Sequence, residues 1–265
     1  MTSSKEFHGR WALITGASAG IGVALAHELA RHGAKLILTA RRRDRLDSLA
    51  AELAAQGTEV RIVAADLNDP AAAQQVYDAT EGAGLGVDIL INNAGVGLYG
   101  AFSTNPVEQE AGQVRVNCES MVRVARLFVS RMVERRRGWV LVTASTASFL
   151  PLPYLTTYAA TKAFDRFFAL GLAQEVKRFG VKVTALCPGP TESEFFDVSG
   201  AGNLKRGVQS AEDVARIGIA ALARGKRTAI PNFAGGSTAF VVRLLPVGLI
   251  PYFVEKFARP SPPSN

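Results

Sequence analysis

The strongest constraint on this chain is an alternation that runs almost its whole length. Short, nearly unbroken apolar runs at 11–15, 35–40, 60–65, 87–91, 139–143, 181–187 and 227–230 are separated by segments with helical spacing. Ile21, Leu25, Ala26 and Leu29 repeat at that spacing over 21–31, and Leu46, Leu49 and Leu53 do so over 45–56. Gly33 stops the first of these helices, and Asp69-Pro70 opens another with a cap and a first-turn proline. Long helical stretches cover 108–136 and 157–179, and a last one covers 211–223. Strands that are apolar on both faces and alternate with helices form a parallel sheet covered on each side. The pattern never breaks and has no internal repeat. It predicts an α/β fold: a single doubly wound, Rossmann-like domain with a mainly parallel seven-stranded sheet, over about residues 1–235.

Composition excludes several alternatives. With 265 residues, 48% hydrophobic and 20% charged, the chain can bury a full core and is not intrinsically disordered. Its 25 glycines carry no collagen-like period. Two cysteines, Cys118 and Cys187, are too few for a disulfide scaffold, and residues 1–10 lack an apolar leader core, so a reducing, cytoplasmic setting is expected. The net charge of +7 gathers in two places, Arg41-Arg42-Arg43 with Arg45, and Arg135-Arg136-Arg137. The second reads as the solvated end of a helix. Neither is interleaved with the aromatics a nucleic-acid surface would carry, so no nucleic-acid partner is expected. The tail at 236–265 is apolar, but Arg243, Pro246 and Pro251 interrupt it, short of the roughly 20 residues of a membrane span. It is expected to pack on the domain or on a second subunit, with a lid or a membrane-surface contact as alternatives.

Chemistry concentrates at the ends of the apolar runs. The first strand-to-helix turn, Thr15-Gly16-Ala17-Ser18-Ala19-Gly20-Ile21-Gly22, lets backbone approach a pyrophosphate at a helix N-terminus. The second run ends in Arg41 and Arg42, where an NAD-binding site usually offers a carboxylate; a guanidinium there suits the 2′-phosphate of NADP(H). Either arginine could hold it, with Arg41 the first choice. Tyr158 and Lys162 stand four residues apart and share a helix face. An ammonium there favours the phenolate, drawing a phenol down from about 10 toward working pH. Such a tyrosine can give a proton to a carbonyl oxygen or take it back.

In this order, Thr15-Gly16-x-x-x-Gly20-x-Gly22, Asn92-Asn93-Ala94-Gly95, Asn117, Ser145 and Tyr158-x-x-x-Lys162 resemble the short-chain dehydrogenase/reductase family over about residues 11–195. The resemblance implies an NADP(H)-dependent oxidoreductase of the carbonyl reductase type. It implies that Ser145 bonds the substrate oxygen beside Tyr158, that Asn117 holds a water serving Lys162, and that Lys162 also holds the nicotinamide ribose. Ser18, Ala19 and Ile21 with the three glycines would hold the pyrophosphate; Asp66 and Leu67 would meet the adenine; Asn93, Ala94 and Gly95 would frame the pocket. Pro188, Gly189 and a hydroxyl from Thr191 or Ser193 would hold the nicotinamide carboxamide. No metal is implied. Many members pair long central helices, so a homodimer or homotetramer is expected.

The same resemblance places substrate beside the segments that hold Leu98, Leu152 and Phe195. They are apolar, so the expected substrate is an apolar ketone, a steroid-like ring or a 3-oxoacyl compound. The competing reading is a dinucleotide-binding sensor that keeps the fold without turnover. Loss of Ser145, Tyr158 or Lys162 would favour it, and all three are present.

Overall fold

In the computed structural model, which describes residues 6–201, 207–231 and 246–259, the apolar runs are strands. They are β1 (Trp11–Thr15), β2 (Lys35–Thr39), β3 (Val60–Ile62), β4 (Val87–Asn92), β5 (Gly138–Thr143), β6 (Val181–Leu186) and β7 (Thr228–Ala229). All pair in parallel, in the order β3-β2-β1-β4-β5-β6-β7. The chain winds outward from β1 to β3, then returns to lay β4 on the other side of β1. That reversal opens a crevice at the carboxyl ends of β1 and β4, where ligands of such sheets bind.

The helices are α1 (Gly20–Arg31), α2 (Arg43–Ala55), α3 (Ala72–Asp78), α4 (Val107–Val114), α5 (Met121–Glu134), α6 (Thr156–Val176), α7 (Phe195–Ser199), α8 (Ala211–Ala223) and α9 (Ile250–Ala258). Strand alternation divides the core between two faces. Ile14, Leu36, Leu38 and Leu141 pack with α1, α2 and α8 through Leu25, Leu29, Leu46, Leu53 and Ile219. Leu13, Ile37, Val140 and Val183 pack on the other face with α3, α5 and α6 through Val76, Phe128, Met132 and Ala173. Each such Leu, Ile or Phe contributes about 1.5–3 kcal/mol by leaving water, which fixes the sheet as a rigid base for its carboxyl-edge loops.

Several expected boundaries move, each for a local reason. The 60–65 run forms strand only to Ile62, although Val63 and Ala65 still donate to Leu38 and Ala40 of the neighbouring chain. The 108–136 helix is three pieces, because a π-helical turn at Arg115–Ser120 separates α4 from α5. Asp69 caps a turn through Ala71 N–H, and α3 begins only at Ala72. Arg135 and Arg137 are not a solvated helix end. Arg135 bonds Glu81 and the Val87 carbonyl, and Arg137 and Arg10 share Asp88. This knot ties the amino ends of the central strands together.

The tail also differs. Arg243 lies outside the described residues, but Pro251 does not break the chain; it occupies the first turn of α9, where a missing N–H costs nothing. Tyr99 donates to the carbonyl of Ala258, and Tyr154 lies 3.4 Å from Glu255, so α9 rests on the loops that follow β4 and β5. No described helix is long and apolar enough to cross a membrane.

Candidate active site

The first turn shows why its glycines are needed. Gly16 has φ +67, and a Cβ there would stand 2.9 Å from the Cα of Ala94. A Cβ on Gly22 would stand 2.1 Å from the Gly16 carbonyl oxygen, so α1 can start against the turn only without one. Beside the turn, Thr15 Oγ1 accepts from the N–H groups of Asn93 and Ala94, and Asn93 Nδ2 donates back to the Thr15 carbonyl. The hydroxyl of Thr143 donates to Asn93 Oδ1. The carboxyl ends of β1, β4 and β5 are thereby locked into one frame.

That frame borders a cavity of about 520 Å³. One end is lined by the turn 16–22, by Arg41 and Arg42, by Asp66 and Leu67, and by Asn93, Ala94 and Gly95. The middle holds Ser145, Tyr158 and Lys162, together with Pro188, Gly189, Thr191 and Ser193. The far end is apolar: Leu150, Leu152, Leu155, Phe195, Phe196 and Val198. The fold therefore gathers nearly every residue singled out in the sequence. Leu98 is not in the wall; its N–H is turned to Gln113, and Val96 and Gly97 line the cavity instead. Asn117 also stands behind the wall. Its amide donates to the Val96 carbonyl and the Thr161 hydroxyl and accepts from Val96 N–H, tying the loop after β4 to α6.

The central groups are held firmly. Ser145 Oγ accepts from Ala147 N–H and lies 3.5 Å from the Pro188 carbonyl. The Tyr158 ring packs 5.1 Å from the ring of Phe195. Lys162 is buried and donates to the Thr143 carbonyl at 2.8 Å and to Asp165 Oδ2 at 3.0 Å. Burial pulls its ammonium down, but the Asp165 carboxylate, with smaller contributions from Tyr158 and Cys118, more than offsets this and leaves it above the ordinary lysine value. Of the two candidate hydroxyls after β6, that of Thr191 is buried and donates to the Gly189 carbonyl, and that of Ser193 is half-buried, lies against Gly20 and donates to the Thr191 carbonyl at 3.3 Å. Neither cysteine is a nucleophile here, since burial pushes the Cys118 thiol to about 12 and the Cys187 thiol to about 11.

Two further residues, Glu194 and Asp165, belong to the site. Glu194 pairs with Arg42 at 2.8 Å and with Arg45, fastening the segment before α7 to the start of α2. Hydrogen bonds from Arg42 and then Arg45 hold its carboxyl below the usual range. No local pattern announces a contact across 152 positions. Asp165, three residues after Lys162, was readable as an i,i+3 ion pair, but such pairs usually lie on solvated faces. Arg42 is thus already engaged, by Glu194 and by Ser18 Oγ at 3.1 Å. Arg41 lines the cavity and makes no hydrogen bond or ion pair with the described residues.

Residues 10–203 match the family model described as short chain dehydrogenase. A very-long-chain 3-oxoacyl-CoA reductase of Danio rerio is 35% identical over 187 residues, covering 68% of this chain and 59% of that protein. The chain spans about three fifths of the length of such curated relatives. Among solved structures, a short-chain dehydrogenase from Sphingobium yanoikuyae in complex with NADPH superposes with a TM-score of 0.81 at 31% identity, over 89% of this chain and 93% of that one. One from Burkholderia phymatum in complex with NAD superposes with a TM-score of 0.84 at 26% identity, over 98% and 99%.

Proposed function

The chain belongs to the short-chain dehydrogenase family, and we propose that it reduces an apolar ketone with NADPH, Tyr158 giving the nascent alkoxide its proton. The observation that carries this reading is a single cavity in which Tyr158, Lys162 and Ser145 stand between a glycine-built anion cradle and an apolar wall. The cradle fits a dinucleotide: Gly16 and Gly22 leave space that a Cβ would fill, and the first turn of α1 points unpaired N–H groups at it. When bound, the nicotinamide supplies the hydride.

The rest is the chain's own work. Ser145 and Tyr158 hold the carbonyl oxygen, and Tyr158 transfers the proton as that oxygen becomes an alcohol. Lys162 holds the nicotinamide ribose and keeps positive charge beside the phenol. Asp66 receives the adenine, although Asn68 N–H already uses one of its carboxylate oxygens. Thr191 or Ser193 supplies the hydroxyl for the carboxamide; that of Thr191 donates to the Gly189 carbonyl and that of Ser193 to the Thr191 carbonyl. At the far end, Leu152, Phe195 and Phe196 offer a wall that a long acyl chain or a fused ring would cover and that a sugar or a small acid would leave unused. The 3-oxoacyl-CoA reductases among the relatives support the acyl version.

The test is NADPH oxidation across a panel graded from small polar ketones to long-chain 3-oxoacyl thioesters. KM should fall steadily as apolar length grows, and a preference for the small polar members would overturn the apolar assignment. NADP(H) preference rests on Arg41, whose five donors remain available to a 2′-phosphate. Each charge-assisted bond is worth about 1.5–3 kcal/mol. Arg41→Ala should therefore lower NADPH affinity roughly tenfold or more relative to NADH, measured by fluorescence titration of both. An unchanged ratio would move the role to Arg42 or remove the preference altogether.

A further inference from the structure

We infer that Asp165 is a positioning residue for this site: it is the counter-ion that keeps the buried Lys162 protonated. The inference rests on the proposed role of Lys162 and adds a residue to it. The geometry is specific. Lys162 is 4% exposed and Asp165 only 2%, and Nζ meets Oδ2 at 3.0 Å. The second carboxylate oxygen, Oδ1, is buried with no hydrogen-bond partner among the described residues. The carboxylate is therefore committed to the lysine and to little else.

Its position on α6 makes the point stronger. Ala169, Ala173 and Val176, at four, eight and eleven residues further on, are all buried apolar groups on the same stripe. An apolar side chain is what that stripe asks for at position 165. With Lys162 in place, an apolar residue here would leave its charge buried and uncompensated, so the acid at 165 is tied to the lysine and not to the stripe. A lysine this deeply buried without a partner loses its proton readily, with values of about 5–6 documented. The Asp165 charge prevents that.

Of the other titratable groups facing the pair, Tyr158 also favours the charged lysine, but less than Asp165 does. Tyr158 lies on the same helix, Cys118 on the π-helical turn and Cys187 just after β6. Both thiols stay protonated over the working range. Arg166, also on α6, sets its guanidinium over the Phe149 ring at 4.2 Å. Among the described residues, Asp165 is the one carboxylate paired with Lys162.

The decisive measurement follows the Cε resonances of isotope-labelled lysine against pH in the full chain, with Lys162 assigned by its loss in Lys162→Met. In the native protein Lys162 should hold its proton at least as high as the exposed lysines. In Asp165→Asn, which keeps the shape and drops the charge, its midpoint should fall by about one unit or more; Asp165→Glu should restore it. Under the proposed function, the alkaline limb of ketone reduction should move to lower pH in Asp165→Asn by the same amount. A Lys162 midpoint unmoved or raised in Asp165→Asn overturns the inference. So does a native Lys162 that titrates below the exposed lysines, a result that needs no Asp165 variant to fold. If the native protein reduces no ketone, the proposed function fails, while the resonance titration still decides the role of Asp165.

Discussion

Tyr158→Phe should lower kcat by roughly 10²–10⁴-fold, the span a positioned proton donor contributes, while dinucleotide binding survives. The substitution removes one hydroxyl and leaves the ring. That ring packs against Phe195 at 5.1 Å, and the tip of a Cβ added to Gly97 would touch it at 3.2 Å, so phenylalanine keeps every apolar contact that places it. The turn at 16–22, Arg41 and Lys162 remain as they were. Measured together, kcat should collapse while the NADPH dissociation constant from fluorescence titration changes little. If most of the turnover remains, Tyr158 is not the acid, and the proton must come from Ser145 or from water. If binding and turnover fall together, the tyrosine acts by shaping the pocket.

How much of this could be read from the sequence depends on the range of the physics involved. The seven strands were legible because a strand covered on both faces must be apolar throughout, and that is a local property. The glycine turn, Tyr158 and Lys162 were legible for the same reason: a tight turn and an i,i+4 face are written within eight residues. What stayed hidden depends on placement. The π-helical turn at Arg115–Ser120 adds one residue to a backbone loop and leaves the apolar spacing of 108–136 almost intact, so one helix was read where three pieces exist. Asn117 sits in that wider turn, and its inward contacts to Val96 and Thr161 join segments 21 and 44 positions away. Leu98 lies in a segment that borders the cavity, but the irregular chain after β4 sets Val96 and Gly97 in the wall and turns the Leu98 N–H to Gln113 of α4. The arginines after Glu134 were read as a dipole-complementing end, and nothing local signals the carboxylates of Glu81 and Asp88 that receive them. Arginine clusters report charge; only the fold reports whether that charge is already spent.

The substitution Gly22→Ala should abolish productive cofactor binding, although helix propensity argues the other way. Alanine is the better helix former by about 1 kcal/mol in an exposed helix interior. Gly22 is buried in the first turn of α1, with a φ any residue could adopt, so backbone strain is not the issue. Space is. The added Cβ would lie 2.1 Å from the Gly16 carbonyl oxygen and 2.9 Å from Asn93 Nδ2, far inside contact distance, and the nearer atom is backbone. Either α1 moves away from the turn or the turn itself must open. Opening it pulls on Thr15, whose hydroxyl and carbonyl hold Asn93 and Ala94, so the disturbance crosses from β1 to β4. Overpacking of this kind costs about 1–3 kcal/mol and occasionally more, and each kcal/mol lowers Tm by about 2–4 °C in a chain of this size. The loss in binding should be larger. Two displaced N–H groups that no longer meet a pyrophosphate, at about 1.5–3 kcal/mol each, amount to roughly a hundredfold or more. Thermal melting with and without NADPH reads both effects at once. The variant should melt several degrees lower, and the upward shift that NADPH gives the native protein should vanish. A variant that melts as the native chain does and keeps that shift would show that the turn and α1 can separate freely, and the close approach of Gly22 to Gly16 would then have no part in building the cradle.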